Sequence, residues 1–220
     1  MQYITAEQMA RIDERAVKHY DLSILQMMEN AGRNLARFTS KLNPRKIIVM
    51  CGGGNNGGGG LVSARHLNIY GFNVEAVLAS TNVNSNVKNQ LHIIKKIRIP
   101  FVNEVNAEVG DVIIDALIGY GIKGNPQDRF ASLIRQANKT KQKGAKIVSL
   151  DIPSGIDPNT GEIYDPAIDA DYTVTLALPK TGLRKLKTVY LANIGIPNEV
   201  YRDFNINIED YFKKEDIILI

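Results

Sequence analysis

The chain has 220 residues, which is longer than a common domain of about 100 to 150 residues but within the range of one α/β domain. Hydrophobic residues make up 44% of the chain and charged residues 23%, a composition that excludes disordered and collagen-like proteins. The net charge of +4 and the pI near 9.0 would suit nucleic acid, anionic lipid or a phosphorylated small molecule, and charge alone does not choose among them.

Signals for membrane insertion, secretion and disulfides are weak. No run approaches the roughly 18 consecutive apolar residues of a membrane span, and residues 1–5 do not resemble a secretory signal peptide. We therefore expect a cytoplasmic protein with one domain over residues 1–220. The only cysteine, Cys51, excludes an internal disulfide and a multi-cysteine zinc site. We expect Cys51 to be a buried strand residue, with a thiol activated by the neighbouring glycines and helix start as the alternative.

The hydrophobic pattern predicts strands that alternate with helices. A capping-box pattern at residues 5–8 begins a first helix that runs toward Tyr20, and a second helix runs from near Ser23 to before Pro44. The other predicted elements are strands at 47–51, 73–78, 111–117, 146–150, 172–178 and 188–192, and helices at 61–70, 89–97 and 129–140. This order predicts a mostly parallel sheet with helices on both faces. The four apolar residues 217–220 should dock on the body of the protein.

Glycine is concentrated between the first predicted strand and the helix that follows it. Seven of the 18 glycines lie there: Gly52, Gly53, Gly54, Gly57, Gly58, Gly59 and Gly60. A glycine-rich loop before a helix start can bind an anion, because bare N–H groups and the positive helix end point at the ligand. The segment has neither the ending of a Walker A loop nor a clean dinucleotide fingerprint, and a flexible turn is the alternative. Its place at the carboxyl end of a strand favours a ligand site.

Two aspartates lie at the ends of other predicted strands. Asp115 lies in an apolar run, where an ionised carboxylate is costly unless it is paired or bound to a cation. Asp151 ends another strand and is followed by Ser154. Each aspartate alone is more simply explained as a structural cap. Because adjacent parallel strands lie about 5 Å apart, Asn56, Asp115 and Ser154 could supply oxygen ligands to one hard cation.

Histidines and a basic segment are weaker candidates. His19, His66 and His92 share no metal-ligand spacing. The basic residues near the last strands favour an ordinary solvated face, with guidance of a phosphorylated ligand as the alternative. They are Lys180, Arg184, Lys185 and Lys187.

Several motifs occur in order along nearly the whole chain. They are the segments Ile4–Thr5, Met27–Gly32, Gly54–Gly58, Asp115–Gly121, Asp151–Gly155, Leu178–Leu183 and Ile194–Pro197. Together they resemble the YjeF N-terminal domain, the NAD(P)H-hydrate epimerase family. Two positions depart from the family pattern. Gly59 stands where the family usually has aspartate, and Asn193 stands where it often has aspartate.

The resemblance implies a Rossmann-like three-layer α/β sandwich and an isomerase that acts in nicotinamide cofactor repair. Such an epimerase interconverts the R and S forms of NADHX and NADPHX, the hydrates that carry a hydroxyl at C6 of the reduced nicotinamide ring. It implies Asp151 as the catalytic proton carrier and Asn56, Asp115 and Ser154 as potassium ligands. The implied substrate contacts are Asn55, Asn56, Gly57, Gly58, Gly59, Gly119, Tyr120, Gly121, Ile122, Lys123, Gly124, Asn125 and Asp151.

The resemblance also implies partners. We expect a homodimer with no membrane or nucleic-acid partner, and a separate ADP- or ATP-dependent NAD(P)HX dehydratase that consumes the S form. The alternative is a non-catalytic nucleotide- or RNA-binding scaffold of the same fold, which the pI and Gly59 would favour. A sugar-phosphate kinase is disfavoured because the Walker lysine is missing.

Overall fold

A seven-stranded sheet forms the centre of the computed structural model, which describes residues 1–208 and 211–220. The strands are β1 (Ile47–Cys51), β2 (Val74–Leu78), β3 (Val112–Ala116), β4 (Lys146–Leu150), β5 (Tyr172–Leu176), β6 (Val189–Ala192) and β7 (Ile217–Leu219). The helices are α1 (Ala6–Tyr20), α2 (Ile24–Ser40), α3 (Asn55–Ile69), α4 (Ser85–Lys96), α5 (Asp128–Lys141) and α6 (Asn198–Arg202). The strand order is β2-β1-β3-β4-β5-β6-β7, and only β7 is antiparallel to its neighbour.

Side chains that alternate along the central strands fill two separate cores. Ile47 and Val49 of β1 belong to a buried cluster with residues of α2, α3 and α4. Ile48 and Met50 belong to another cluster, which includes residues of α5. Successive strand side chains point to opposite faces, so helices cover both sides of the sheet. This confirms the predicted α/β sandwich.

The first two helices begin where the capping patterns predict. In α1 the Thr5 side chain accepts a hydrogen bond from the Gln8 N–H, and Ser23 and Gln26 form the same reciprocal box at the start of α2. The buried face of α1 packs in a third cluster with Leu178, from the segment after β5, and with other residues of the loops beyond the strands. This packing holds α1 over the carboxyl ends of the parallel strands.

The start of α3 corrects the sequence prediction. The helix begins at Asn55 rather than at residue 61, so Gly57–Gly60 lie in its first turns and are buried. Glycine is a poor helix former, but close packing decides the outcome here. A Cβ on Gly57 would come within 2.0 Å of the Gly52 carbonyl oxygen, and one on Gly60 within 2.6 Å of the Ala116 Cβ.

The C-terminal residues add an edge strand. In β7, Ile218 pairs with Leu191 of β6, which agrees with the expected docking of this segment. The Leu219 side chain is nevertheless 64% exposed, so the expectation that all four apolar side chains leave water was wrong. An edge strand has one face available to solvent. Within residues 1–208 and 211–220, no helix has the length and apolar character needed to cross a bilayer.

Candidate active site

A cleft opens at the carboxyl ends of the parallel strands, in two adjoining parts. The inner chamber has a volume of about 100 Å³, and the outer groove about 350 Å³. The inner chamber is lined by Asp13, Ile24, Met27, Met28, Ala31, Asn55, Asn56, Gly59, Tyr120, Leu150, Leu176 and Ile194. The outer groove is lined by Gly53, Gly54, Asn55, Asn56, Leu117, Ile118, Gly119, Tyr120, Gly121 and Phe130. The two parts share Asn55, Asn56 and Tyr120, so they form one site.

The start of α3 lies between the two parts of the cleft. Its N-cap residue, Gly54, has no side chain that could accept a hydrogen bond. The first intrahelical bond runs from the Gly58 N–H to the Gly54 carbonyl at 3.2 Å, so the helix does not use the preceding N–H groups, those of Asn55–Gly57. Unused donors and the positive end of the helix dipole together favour an anion.

The side chains of the first α3 residues are fixed on either side of the cleft. The Asn55 Oδ1 accepts a hydrogen bond of 2.9 Å from the Asn84 side chain. The Asn56 side chain lies against the β3–α5 loop, since a Cβ on Gly119 would be 3.3 Å from its amide carbon. The Asn56 Nδ2 is buried and has no hydrogen-bond partner in the described part of the chain. A buried amide without a partner is uncommon, and it leaves Asn56 free to bind a ligand.

Asp115 is buried at the end of β3 and is surrounded by neutral donors. Its carboxylate accepts hydrogen bonds from the Ser154 hydroxyl at 2.6 Å, the Ser154 N–H at 2.8 Å and the Ser149 hydroxyl at 2.8 Å. The Leu117 N–H donates another at 3.2 Å. Burial raises the pKa of Asp115, while these hydrogen bonds act in the opposite direction. The Ser154 Oγ also accepts a bond of 2.9 Å from the Ile118 N–H, which ties the strand end to the loop that lines the outer groove.

The donor atoms of the expected potassium ligands fit a hard monovalent cation. The structure brings Asp115 and Ser154 into direct contact, and Asn56 reaches the same loop at Gly119. Carboxylate, hydroxyl and amide oxygens are the ligands that hard cations prefer. Residues 1–208 and 211–220 contain no group of three His, Cys, Asp or Glu side chains that could hold a metal, so one carboxylate stands among neutral oxygens.

Asp151 follows β4 and forms a buried ion pair. Its backbone has φ +67°, and its Oδ1 lies 2.6 Å from the Lys180 Nζ. The Thr175 hydroxyl and the Leu176 N–H donate to the same oxygen at 3.1 and 3.3 Å. The Lys180 side chain is 1% exposed, so the prediction that it belongs to a solvated basic face was wrong. Lys180, from the segment after β5, neutralises a charge that would be costly to bury alone. Neither Asp151 nor Lys180 is among the lining residues of the two parts of the cleft.

Asp13 of α1 is a cleft residue that sequence reasoning missed. The Tyr120 hydroxyl donates a hydrogen bond of 2.9 Å to its Oδ2. Burial raises the pKa of Asp13 to about 6, against the lowering effects of this hydrogen bond and of the Lys180 charge. A signal was present in the sequence, because Asp13 follows Ile12 in a helix whose Met9, Ile12 and Ala16 form the buried face.

The remaining predicted contacts divide into two groups. Gly59 lines the inner chamber, and Gly119–Gly121 line the outer groove. Gly57 and Gly58 instead pack inside the protein, where a Cβ on Gly58 would meet the Met28 side chain. The structure does not bring residues 122–125 into the lining of either part of the cleft. In that segment the Asn125 side chain accepts a hydrogen bond from the Asp165 N–H.

Cys51 and the histidines take no part in the cleft lining. Cys51 is fully buried in β1, and burial raises the pKa of its thiol, which excludes the activated-thiol alternative. The His66 Nε2 lies 2.7 Å from the Glu29 carboxylate, which also pairs with Arg65, so these side chains join α2 to α3.

Comparisons with known proteins agree with this architecture. A crystal structure of the yeast protein ynu0 superposes with a TM-score of 0.87 over 100% of both chains at 24% identity, and so shares the fold. An NAD(P)H-hydrate epimerase of Dehalogenimonas lykanthroporepellens is 40% identical over 208 residues, covering 90% of this chain and 84% of the relative. An NAD(P)H-hydrate epimerase of Entamoeba histolytica is 31% identical over 225 residues, covering 100% of this chain and 99% of the relative.

Longer relatives contain the same region. A bifunctional NAD(P)H-hydrate repair enzyme of Methanopyrus kandleri is 36% identical over 211 residues, which cover 89% of this chain and 42% of the relative. The family described as YjeF-related protein N-terminus matches residues 24–182, a stretch that includes the start of α3, Asp115, Asp151 and Lys180. By this match and by the identity to its relatives, the chain belongs to the YjeF-related N-terminal family.

Proposed function

We propose that this protein is an NAD(P)H-hydrate epimerase, an isomerase that interconverts the R and S forms of NADHX and NADPHX. The observation that carries the proposal is the cleft itself, in a chain whose relatives carry that name. The cleft joins an uncapped helix start to an apolar chamber, and two lining residues of that chamber, Leu150 and Leu176, adjoin the buried Asp151–Lys180 pair. A buried ion pair is weak evidence for stability alone, and one placed beside a cleft favours a chemical role.

The two parts of the cleft suit the two ends of a hydrated dinucleotide. The phosphates would lie in the outer groove, against the unused N–H groups of Asn55–Gly57. The hydrated ring would enter the inner chamber, where Met27, Leu150 and Ile194 provide apolar walls. Apolar walls exclude bulk water and strengthen the electrostatic interactions of the few polar groups present.

The chemistry requires proton transfer and no redox step. The C6 hydroxyl leaves as water when it receives a proton, because the lone pair of the ring nitrogen forms the N1=C6 bond of an iminium ion. Water returns to C6 from either face and gives up a proton, so the balance is one proton in and one proton out. Asp151 is the proposed carrier, and its charge is held in place by Lys180.

Potassium is the proposed cofactor, held by Asn56, Asp115 and Ser154. Bound there, the ion would supply positive charge beside the end of the cleft that takes the substrate phosphates. The protein's own part is to hold the loop that begins at Leu117, through the bonds of Asp115 and Ser154. Replacing potassium by tetramethylammonium should lower the rate of epimerisation, and an unchanged rate would remove the ion from the proposal.

The activity can be tested with a mixed R and S sample of NADHX, with the ratio of the two followed over time. The protein should accelerate equilibration over the spontaneous rate, and Asp151→Asn should lower kcat by about 100-fold or more. Asp165→Asn is a matched control, since the Asp165 side chain is 88% exposed. No acceleration, with or without potassium, would contradict the epimerase proposal. Retained binding of nucleotide or RNA would then favour the scaffold alternative.

We also propose that the protein works in the cytoplasm as a homodimer, with a separate ADP- or ATP-dependent NAD(P)HX dehydratase. Support for the dehydratase comes from the bifunctional relatives, in which this region is joined to a further stretch of chain. Sedimentation of the purified protein would test the dimer, and a monomer at micromolar concentration would contradict it.

A further inference from the structure

Asp13 is a carboxyl group in the cleft to which the mechanism above gives no role. It lies on α1 and lines the inner chamber together with Asn56 and Gly59. Its Oδ2 accepts the hydrogen bond of Tyr120, whereas its Oδ1 accepts none from any residue in the ranges 1–208 and 211–220. Asp13 is half-buried, and its side chain faces the chamber, so Oδ1 is available to a ligand there.

The surroundings of Asp13 favour its protonated form more than those of an ordinary surface aspartate. Burial is the largest effect and raises its pKa to about 6. The negative charge of Asp151 acts in the same direction, while the Tyr120 hydrogen bond and the Lys180 charge lower the pKa. Burial raises the pKa of the nearby Tyr201 phenol of α6, and the charge of Asp13 adds to this effect.

Lys180 and Tyr120 lie between Asp13 and Asp151. The Lys180 Nζ is 2.6 Å from the Asp151 carboxylate and 5.9 Å from the centre of the Tyr120 ring, and the Tyr120 hydroxyl reaches Asp13. The two aspartates enter from different parts of the fold, one from α1 and the other from the end of β4. Asp151 forms an ion pair with an ammonium group, whereas burial raises the pKa of Asp13. Two carboxyls in such different environments are typical of an acid and its partner base.

We propose that Asp13 is a second catalytic carboxyl, which exchanges a proton with the C6 oxygen on the ring face opposite to the one that Asp151 serves. This inference rests on the proposed function. Epimerisation requires the oxygen to leave one face of the ring and return to the other. Carboxyl groups that enter from α1 and from the end of β4 divide the two proton transfers between them.

The exchange balances without any further reactant. In one direction protonated Asp13 gives its proton to the hydroxyl, the C6–O bond breaks with its electron pair on oxygen, and the N1=C6 bond forms. Water then attacks C6 from the other face, the π electrons return to nitrogen, and the Asp151 carboxylate takes a proton from the water. One proton has moved from Asp13 to Asp151, and the reverse reaction returns it.

The test compares Asp13→Asn with Glu14→Gln, its exposed neighbour on α1, in the epimerase assay. Asp13→Asn should lower kcat by about 100-fold or more with KM changed by less than about threefold, because the loss is in the transition state. Glu14→Gln should match the wild type. After subtraction of the spontaneous rate, the wild-type kcat should fall as pH rises above about 6. This falling limb of the pH profile should be absent in Asp13→Asn.

Tyr120→Phe provides a second test if Asp13→Asn does not fold. It removes the hydrogen bond that lowers the pKa of Asp13, so the falling limb should move to higher pH. A purely structural Asp13 would change stability without moving that limb. An active wild type with an unchanged Asp13→Asn kcat, or with an unmoved limb in Tyr120→Phe, would overturn this inference alone. A wild type without epimerase activity would overturn the proposed function instead.

Discussion

Asp115 and Asp151 are both buried at the ends of neighbouring strands, yet the protein satisfies them in different ways. Asp115 receives neutral donors only, from serine hydroxyls and backbone N–H groups. Asp151 receives the ammonium of Lys180 as well as neutral donors. A carboxylate paired with an ammonium group already has its charge compensated, whereas one enclosed by neutral donors can attract a cation. The same residue type at equivalent strand ends therefore serves two purposes.

The largest expected effect on stability comes from removing the ammonium group of Lys180. Lys180→Met should lower the free energy of unfolding by about 3–5 kcal/mol, because it leaves the charge of Asp151 buried without a partner. Unfolding in urea measures the loss. Lys185→Met, at an exposed position in the same segment, is the control and should change the free energy by less than about 0.5 kcal/mol. Equal stability of the two variants would mean that Asp151 does not depend on Lys180.

Removal of the strongest neutral partner should have a smaller effect. Ser154→Ala deletes the bond to Asp115 and the bond from the Ile118 N–H, and should cost about 1–3 kcal/mol of unfolding free energy. Ser132→Ala on the exposed face of α5 should be nearly neutral. If Ser154→Ala costs as much as Lys180→Met, the distinction between the two aspartates is wrong.

The smallest effects are expected when one further hydrogen-bond donor is removed from each carboxylate. Ser149→Ala removes one donor from Asp115 and Thr175→Val removes one from Asp151. We expect a cost of about 1.5 kcal/mol for the first and about 0.5 kcal/mol for the second, since the ammonium already compensates Asp151. Thermal unfolding of both variants shows which substitution costs more stability. A larger cost for Thr175→Val than for Ser149→Ala would contradict the proposed difference between the two aspartates.

The sequence predicts the sheet well because its central strands are buried on both faces. An apolar run such as residues 47–51 has no other simple explanation, and β1 has those bounds in the structure. The start of α3 is different. Glycine has a low helix propensity, so the sequence predicts that these glycines precede the helix. The close packing of Gly57 against Gly52, which requires glycine within the helix, arises only in the folded chain.

Part of the candidate site could also be predicted from the sequence. Their positions at the ends of predicted parallel strands singled out Asp115 and Ser154, and the structure places them in contact. Lys180 was misjudged because nearby lysines and arginines suggested a solvated face, whereas its burial depends on Asp151, 29 residues away. Asp13 was missed because its place beside the buried face of α1 is only a weak signal, and its partner Tyr120 comes from a distant loop.

Asn193, the other departure from the family pattern, fits its surroundings as an amide. Its Oδ1 accepts a hydrogen bond from the Gly195 N–H at 2.9 Å, and its Nδ2 lies 3.5 Å from a carboxylate oxygen of Asp216. An aspartate at position 193 would place two like charges together in a turn. The neutral amide and the acidic neighbour therefore suit one another.

The uncapped start of α3 couples occupancy of the cleft to folding. An anion bound to the N–H groups of Asn55–Gly57 would act as the missing N-cap of a helix whose first turns are rich in glycine and costly to order. By linkage, ligand concentrations well above Kd then stabilise the native state. The amide protons of this turn should exchange with deuterated solvent more slowly in the complex than in the free protein. In the proposed complex the substrate would complete the helix that binds it.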